Sequence, residues 1–175
     1  MNSTKKLSFA ALLVAFSFAG AQLKIMGSIA LDSLPAFLGA LLLGPFWGAA
    51  IGAIGHFLTA LTSGFPFGLP AHLLISVMMA LTMAAFYGVS SVLKKKISLI
   101  AAYAFAGIVA VMINGPLDIL ALYPLLGPVM GASALWALIP VLSLVAAINV
   151  AMAIFVYLLL PKSFKSQMEV TRVRT

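Results

Sequence analysis

Apolar residues run through this chain in long blocks, separated by short clusters of glycine, proline or charge. A helix crossing hydrocarbon ~30 Å thick takes about 20 residues, and on that measure the blocks predict spans at residues 7–26, 34–44, 46–63, 70–93, 97–121 and 134–160. The expected fold is all-α, a polytopic membrane protein with a bundle of six transmembrane helices. It forms a single domain over residues 1–175, with a short basic tail at 161–175. The softest boundary is Gly44-Pro45, because glycine and proline together punctuate a helix. Read as one bent span, residues 34–63 would leave five crossings and put the two termini on opposite sides.

Composition supports lipid as the solvent. A chain of 175 residues that is 64% hydrophobic and 7% charged has too little polar surface to cover a water-soluble domain. Its charge of +7 does not point to nucleic acid, since the basic residues sit between apolar blocks instead of lining a face. With no cysteine, disulfides and thiolate chemistry drop out.

Charge also decides between six spans and five. With six spans and an inside N-terminus, Lys5, Lys6, Lys94, Lys95, Lys96, Lys162, Lys165, Arg172 and Arg174 all fall in the cytoplasm, as the positive-inside rule requires. Only Lys24 falls outside, with Asp32 and Asp118 near the same face. Lys5-Lys6, the apolar run from Leu7 and Ala19-Gly20-Ala21 also fit a secretory signal peptide. Against cleavage stands the stripe of Ala11, Ala15 and Ala19 on one helix face, which a discarded segment would not need.

The polar residues within the apolar blocks are the candidates for function. Ala36, Ala40, Gly44, Gly48 and Gly52 keep a four-residue spacing that His56 continues. Small residues at that spacing serve close helix packing. An ionisable residue in a span faces the protein interior or a water-filled cavity, so His56 is either a satisfied structural histidine or a ligand contact. Thr62-Ser63-Gly64-Phe65-Pro66-Phe67-Gly68-Leu69-Pro70, followed by His72, reads either as a lid in which Phe65 and Phe67 cover a ligand or as an ordinary interfacial loop. Asn114 and Asp118 are four apart and share a helix face. The Asp118 carboxylate would accept from a ligand, from His56 or His72, or from Lys24. Trp136 stands near the outer entry of the sixth span, where an interface anchor is the simpler reading, and Asn149 nearer mid-membrane, where an amide seeks partners within the bundle.

Catalysis finds no support. No G-x-x-x-x-G-K-[ST] loop, H-E-x-x-H pair or G-x-S-x-G elbow is present, and His56 and His72 have no cluster of acids to complete a metal site. The chain is expected to be no enzyme and to hold no cofactor and no metal. Uphill transport would draw on partner subunits or on an ion gradient, with Asp32 and Asp118 the available membrane carboxylates.

The first-span stripe Ala11-x-x-x-Ala15-x-x-x-Ala19, with Leu34-Pro35 leading through Leu43-Gly44-Pro45-Phe46-Trp47-Gly48 to Gly55-His56, resembles the substrate-binding S component of an energy-coupling factor (ECF) vitamin transporter. Gly27-Ser28-Ile29-Ala30-Leu31-Asp32-Ser33-Leu34-Pro35, the run from His56 to Pro66, and Gly68-Leu69-Pro70-Ala71-His72 look most like the branch assigned to α-ribazole, the nucleoside of the lower cobalamin ligand. The resemblance implies a multi-pass protein of the bacterial cytoplasmic membrane, both termini cytoplasmic, that captures a vitamin or precursor on its outer face. It implies a transmembrane T component and two ATPase subunits as partners, with Ala11, Ala15 and Ala19 meeting the T component. The substrate contacts expected are Lys24, Asp32, His56, Phe65, Phe67, His72, Asn114, Asp118 and Trp136. An S component for another vitamin, such as pantothenate, folate or riboflavin, and a membrane scaffold without a ligand are the alternatives.

Overall fold

Gly44 is where the chain doubles back. The computed structural model describes residues 3–22, 24–25, 29–30 and 32–169, with residues 23–31 and 169 lacking any side-chain description. After α1 (Ser3–Gly20), a short antiparallel ladder pairs β1 (Lys24–Ile25) with β2 (Ile29–Ala30), and α2 (Leu34–Leu43) and α3 (Pro45–Thr62) follow. Gly44 has φ 98° and ψ 179°, a backbone that a side chain would strain. Pro45 then starts α3 with its φ already suited to a helix. The small-residue row of the sequence is therefore two faces that meet. A Cβ on Gly48 would lie 2.5 Å from the Ala40 Cβ, and one on Gly52 would lie 3.5 Å from that of Ala36. Pairing 40 with 48 and 36 with 52 about a turn at 44 makes α2 and α3 an antiparallel hairpin. At 1.5 Å per residue α2 is about 15 Å long, roughly half the hydrocarbon thickness. α1 packs on α3 by the same means, the Cβ of Ser17 standing 2.9 Å from where a Cβ on Gly55 would be.

Among the described residues three helical stretches are long and apolar enough to cross a membrane: Gly68–Leu93, Leu99–Met130 and Ala132–Leu159. The first is α4. The second joins α5 (Leu99–Met112) to α6 (Asp118–Met130) through a π-helical turn, Ile113–Leu117. The third joins α7 (Ala132–Trp136) to α8 (Ile139–Leu159). Each presents one row of large exposed apolar side chains, such as Leu73, Val77 and Leu81 on α4 and Leu144, Ile148 and Met152 on α8. Lipid tolerates such rows where water would not.

Several boundaries differ from the sequence expectation. α1 stops at Gly20, and the chain turns into the β ladder instead of running on to 26. The helix expected to stop at 121 runs on to Met130 through Pro124 and Pro128. Proline removes one N–H and crowds the preceding turn, but in a membrane bundle neighbouring helices and local π adjustments absorb the defect. The π turn at Pro116 is one such adjustment. The tail is helical over α9 (Lys162–Glu169).

Ring contacts show which helix ends lie together. Phe9 meets Phe164 edge-on at 6.0 Å, placing the start of α1 beside α9, and Tyr103 meets Tyr157 at 5.8 Å, placing the start of α5 beside the end of α8. Lys5, Lys6, Lys94, Lys95, Lys96, Lys162 and Lys165 thus share one end of the bundle, while Arg172 and Arg174 lie outside the described residues. Phe37 and Phe86, both fully buried and 5.1 Å apart, hold α2 to α4 in the core between the two ends.

Candidate functional site

At the end of the bundle away from the lysines, α3, α4, α6 and α8 enclose a cavity of about 280 Å³. Its polar wall is Asp32, Ser33, His56, His72, Asn114 and Asp118. The rest is apolar, including Ile119, Leu122 and Leu126 from α6 and Leu138 and Leu142 from the start of the last span.

The polar wall is assembled from far apart in the chain. Thr59, one turn after His56 on α3, donates its hydroxyl to the Asp32 carboxylate at 2.6 Å and also lies 3.0 Å from its own helix carbonyl at Gly55. Just beyond Asp32, the Leu34 N–H donates to Asn149 Oδ1 at 2.9 Å, while Asn149 Nδ2 donates to the Val145 carbonyl. The first N–H groups of a helix have no partner within it, and here a side chain of α8 supplies one to α2. These two contacts fix the approach to α2 between α3 and α8, with Asp32 only 7% exposed.

His56 Nε2 and His72 Nδ1 lie 3.2 Å apart, one donating to the other according to tautomer, with their rings inclined by 28°. The loop between α3 and α4 turns through left-handed residues Gly64, Phe65 and Gly68, which folds it back over His72. The Phe67 ring lies nearly parallel to His72 at 5.9 Å, and Phe65 meets it edge-on at 5.8 Å.

Asn114 and Asp118 flank the π turn. Gly115 lets α8 approach there, since a Cβ on it would collide with the Ser143 hydroxyl and come within 3.3 Å of the Ser143 Cα. Asn114 Nδ2 lies 2.8 Å from the Met79 thioether, a weak acceptor. Two buried polar atoms on the wall, His72 Nε2 and Asp118 Oδ1, have no hydrogen-bond partner among the described residues. Each such atom costs about 1–3 kcal/mol when left unpaired.

Among the described residues no group of three or more His, Cys, Asp or Glu could hold a metal ion, and no lysine or arginine lines the cavity. The arrangement can enclose an uncharged molecule and hydrogen-bond its polar groups.

The family ECF transporter, substrate-specific component, matches residues 5–161. This chain belongs to that family. No curated protein and no solved structure matches it. It is thus a substrate-specific membrane subunit of an ECF transporter, a transporter subunit and not a member of an enzyme family. S components bind a small-molecule substrate and work with a T component and ATPases.

Of the contacts expected in this S component from its sequence, Asp32, His56, Phe67, His72, Asn114 and Asp118 line the one cavity. Phe65 stands behind them, against His72 and Phe57. Trp136 is not in the lining; it stacks on Tyr123 at 5.6 Å and is 42% exposed. The Lys24 side chain, with Gly27, Ser28 and Leu31 of the same stretch, lies outside the described residues. Asp118 Oδ1 receives no hydrogen bond from either histidine: His56 Nε2 meets His72 Nδ1, and His72 Nε2 is itself without a partner among the described residues. Sequence reading missed Thr59, although its place three residues after His56 puts it on the same face. It also missed the apolar lining, because one leucine among many carries no contrast.

Proposed function

We propose that this S component captures a vitamin or vitamin precursor from outside the cell, with α-ribazole the favoured substrate, and delivers it inward with a T component and two ATPase subunits. The observation that carries the reading is the mixed lining of the cavity: six hydrogen-bonding side chains beside an apolar majority, and no lysine or arginine among its described lining residues. A nucleoside with hydroxyls on a sugar and a flat apolar base suits both kinds of lining without needing a counter-charge. Pantothenate and folate carry carboxylates that the described wall does not neutralise.

Six spans are our topology, with α1, α2, α3, α4 and the stretches Leu99–Met130 and Ala132–Leu159 as the crossings, in a single domain with a basic tail at 161–175. The common end of the lysines supports an inside placement for both termini in a bacterial cytoplasmic membrane, which turns the cavity outward. Ala11, Ala15 and Ala19 are exposed on α1, and a flat face of small side chains suits close docking by the T component. Lys24, Phe65 and Trp136 remain candidate contacts near the site.

The test is ligand capture. Purified protein is denatured, its extract analysed by mass spectrometry, and fresh protein titrated with α-ribazole, pantothenate, folate and riboflavin by thermal shift. Co-purified or stabilising α-ribazole is expected. A different vitamin in its place would reassign the substrate, and no small molecule in stoichiometric amount with no stabilisation by any of the four would favour a scaffold.

A further inference from the structure

His72 and Asp118 differ from the other polar residues of the cavity. Asp32 is engaged by Thr59, Asn114 by Met79, and His56 by His72. His72 Nε2 and Asp118 Oδ1 alone combine near-complete burial, 1% and 4% exposure, with an atom lacking a partner among the described residues on this wall. Burying a polar group unpaired is unfavourable, and a ligand that satisfies both atoms recovers that cost.

The His72 ring is also held from several sides. His56 hydrogen-bonds its Nδ1, the His56 and Phe67 rings lie within 28° and 27° of parallel to it, and Phe65 meets its edge. His56 lines the cavity too, yet its Nε2 is directed at His72. A proton on the His56 side of that bond leaves His72 Nε2 a donor, and a proton on the His72 side leaves it an acceptor. The pair therefore adapts to either kind of ligand atom, and Asp118 Oδ1 is open to a ligand donor.

We propose that His72 and Asp118 grip the polar edge of the ligand, that His56 is the positioning residue fixing the His72 ring, and that the site selects a molecule of one class. That class has at least one O–H or N–H donor, an apolar ring system, and no carboxylate or phosphate. The inference rests on the cavity being the substrate site. His72 and Asp118 take the donor-bearing part of the molecule. The apolar body lies against Ile119, Leu122, Leu126, Leu138 and Leu142. An anionic group would enter a wall that holds the buried carboxyls of Asp32 and Asp118 and no lysine or arginine among its described lining residues, so its charge would be desolvated without a counter-charge.

The experiment titrates purified wild-type protein and variants in detergent with three probes: α-ribazole, its 5′-phosphate and the benzimidazole base methylated on its ring N–H, which has no O–H or N–H donor. Wild type is expected to bind the nucleoside more tightly than either relative. His56→Leu should weaken nucleoside binding by about tenfold, equivalent to about 1.4 kcal/mol, while changing base binding by less than about threefold. His56→Gln, which keeps a donor and an acceptor for His72, should restore nucleoside affinity to within about threefold of wild type. Leu142→Trp, which puts a bulky ring into the cavity lining, should weaken both nucleoside and base.

Equal loss of nucleoside and base in His56→Leu would mark a merely structural histidine and overturn the proposal, as would unchanged binding of both. Tight binding of the 5′-phosphate would overturn the selection against anions. If Leu142→Trp retains wild-type affinity for the nucleoside, or wild type binds none of the probes, the substrate-site reading fails and the inference fails with it.

Discussion

Asn149 Oδ1 accepts the Leu34 N–H at 2.9 Å across 115 residues of sequence. One amide thus caps α2 and holds the segment carrying Asp32 against α8. Asn149→Ala leaves that N–H without its partner in a site where Asn149 itself is 1% exposed. The expected loss of stability is about 1–3 kcal/mol, read as a lower unfolding temperature in detergent. Asn149 is absent from the cavity lining, so Asp118→Asn and His72→Ala should weaken ligand capture more than Asn149→Ala does. Equal affinities across the three would remove Asp118 and His72 from the site.

Gly48 and Gly88 make a matched pair of substitutions. A Cβ at Gly48 would stand 2.5 Å from the Ala40 Cβ and 2.7 Å from its Cα, whereas a Cβ at Gly88 meets nothing within 4 Å. Backbone cannot give way as a side-chain tip can, so Gly48→Ala should destabilise the α2–α3 hairpin by about 1–3 kcal/mol. Gly88→Ala should be neutral or stabilising by about 0.5–1 kcal/mol through helix propensity. Thermal unfolding of the two single variants side by side checks both signs.

The contact of Gly115 with Ser143 predicts a rescue. Gly115→Ala puts a methyl into the Ser143 side chain at the turn that carries both Asn114 and Asp118, so ligand affinity and thermal stability should fall together. Ser143→Gly removes the hydroxyl and the Cβ that the methyl would strike. The double variant should therefore recover much of the loss, a coupling expected only of residues in direct contact. Losses that simply add would show that the two positions act independently.

Docking and capture should separate on α1. Ala15 is exposed, on a helix with no residue in the cavity lining. Ala15→Trp is expected to abolish association with the T component in a pull-down while ligand affinity stays at the wild-type value. Loss of ligand binding in a well-folded Ala15→Trp protein would contradict that separation of faces.

Much of the frame is legible from the amino-acid order. Gly44-Pro45 announces a break because only glycine takes φ 98° readily and proline favours the first turn of a helix. Asp32, His56, His72, Asn114 and Asp118 stand out as candidates because polar groups are rare and costly in such a chain. The partners of these groups are not legible. Asp118 had three sources of a hydrogen bond open to it, and the choice depended on how α3 and α4 rotate to bring His56 onto His72. The end of the fifth apolar block was misplaced by nine residues, 121 against Met130, because Pro124 and Pro128 break helices in water but are tolerated inside this bundle.

The lipid solvent, the lysines of the chain ends and of 94–96, the break at Gly44-Pro45 and the family can be read from the amino-acid order, because hydropathy, charge and turn chemistry are local properties of the chain. That Asp32 meets Thr59, that Leu34 meets Asn149, and that Leu122, Leu126, Leu138 and Leu142 line one cavity emerges only on folding. Those contacts depend on the relative rotation and register of helices. In a chain where apolar side chains form the background, composition carries no trace of either.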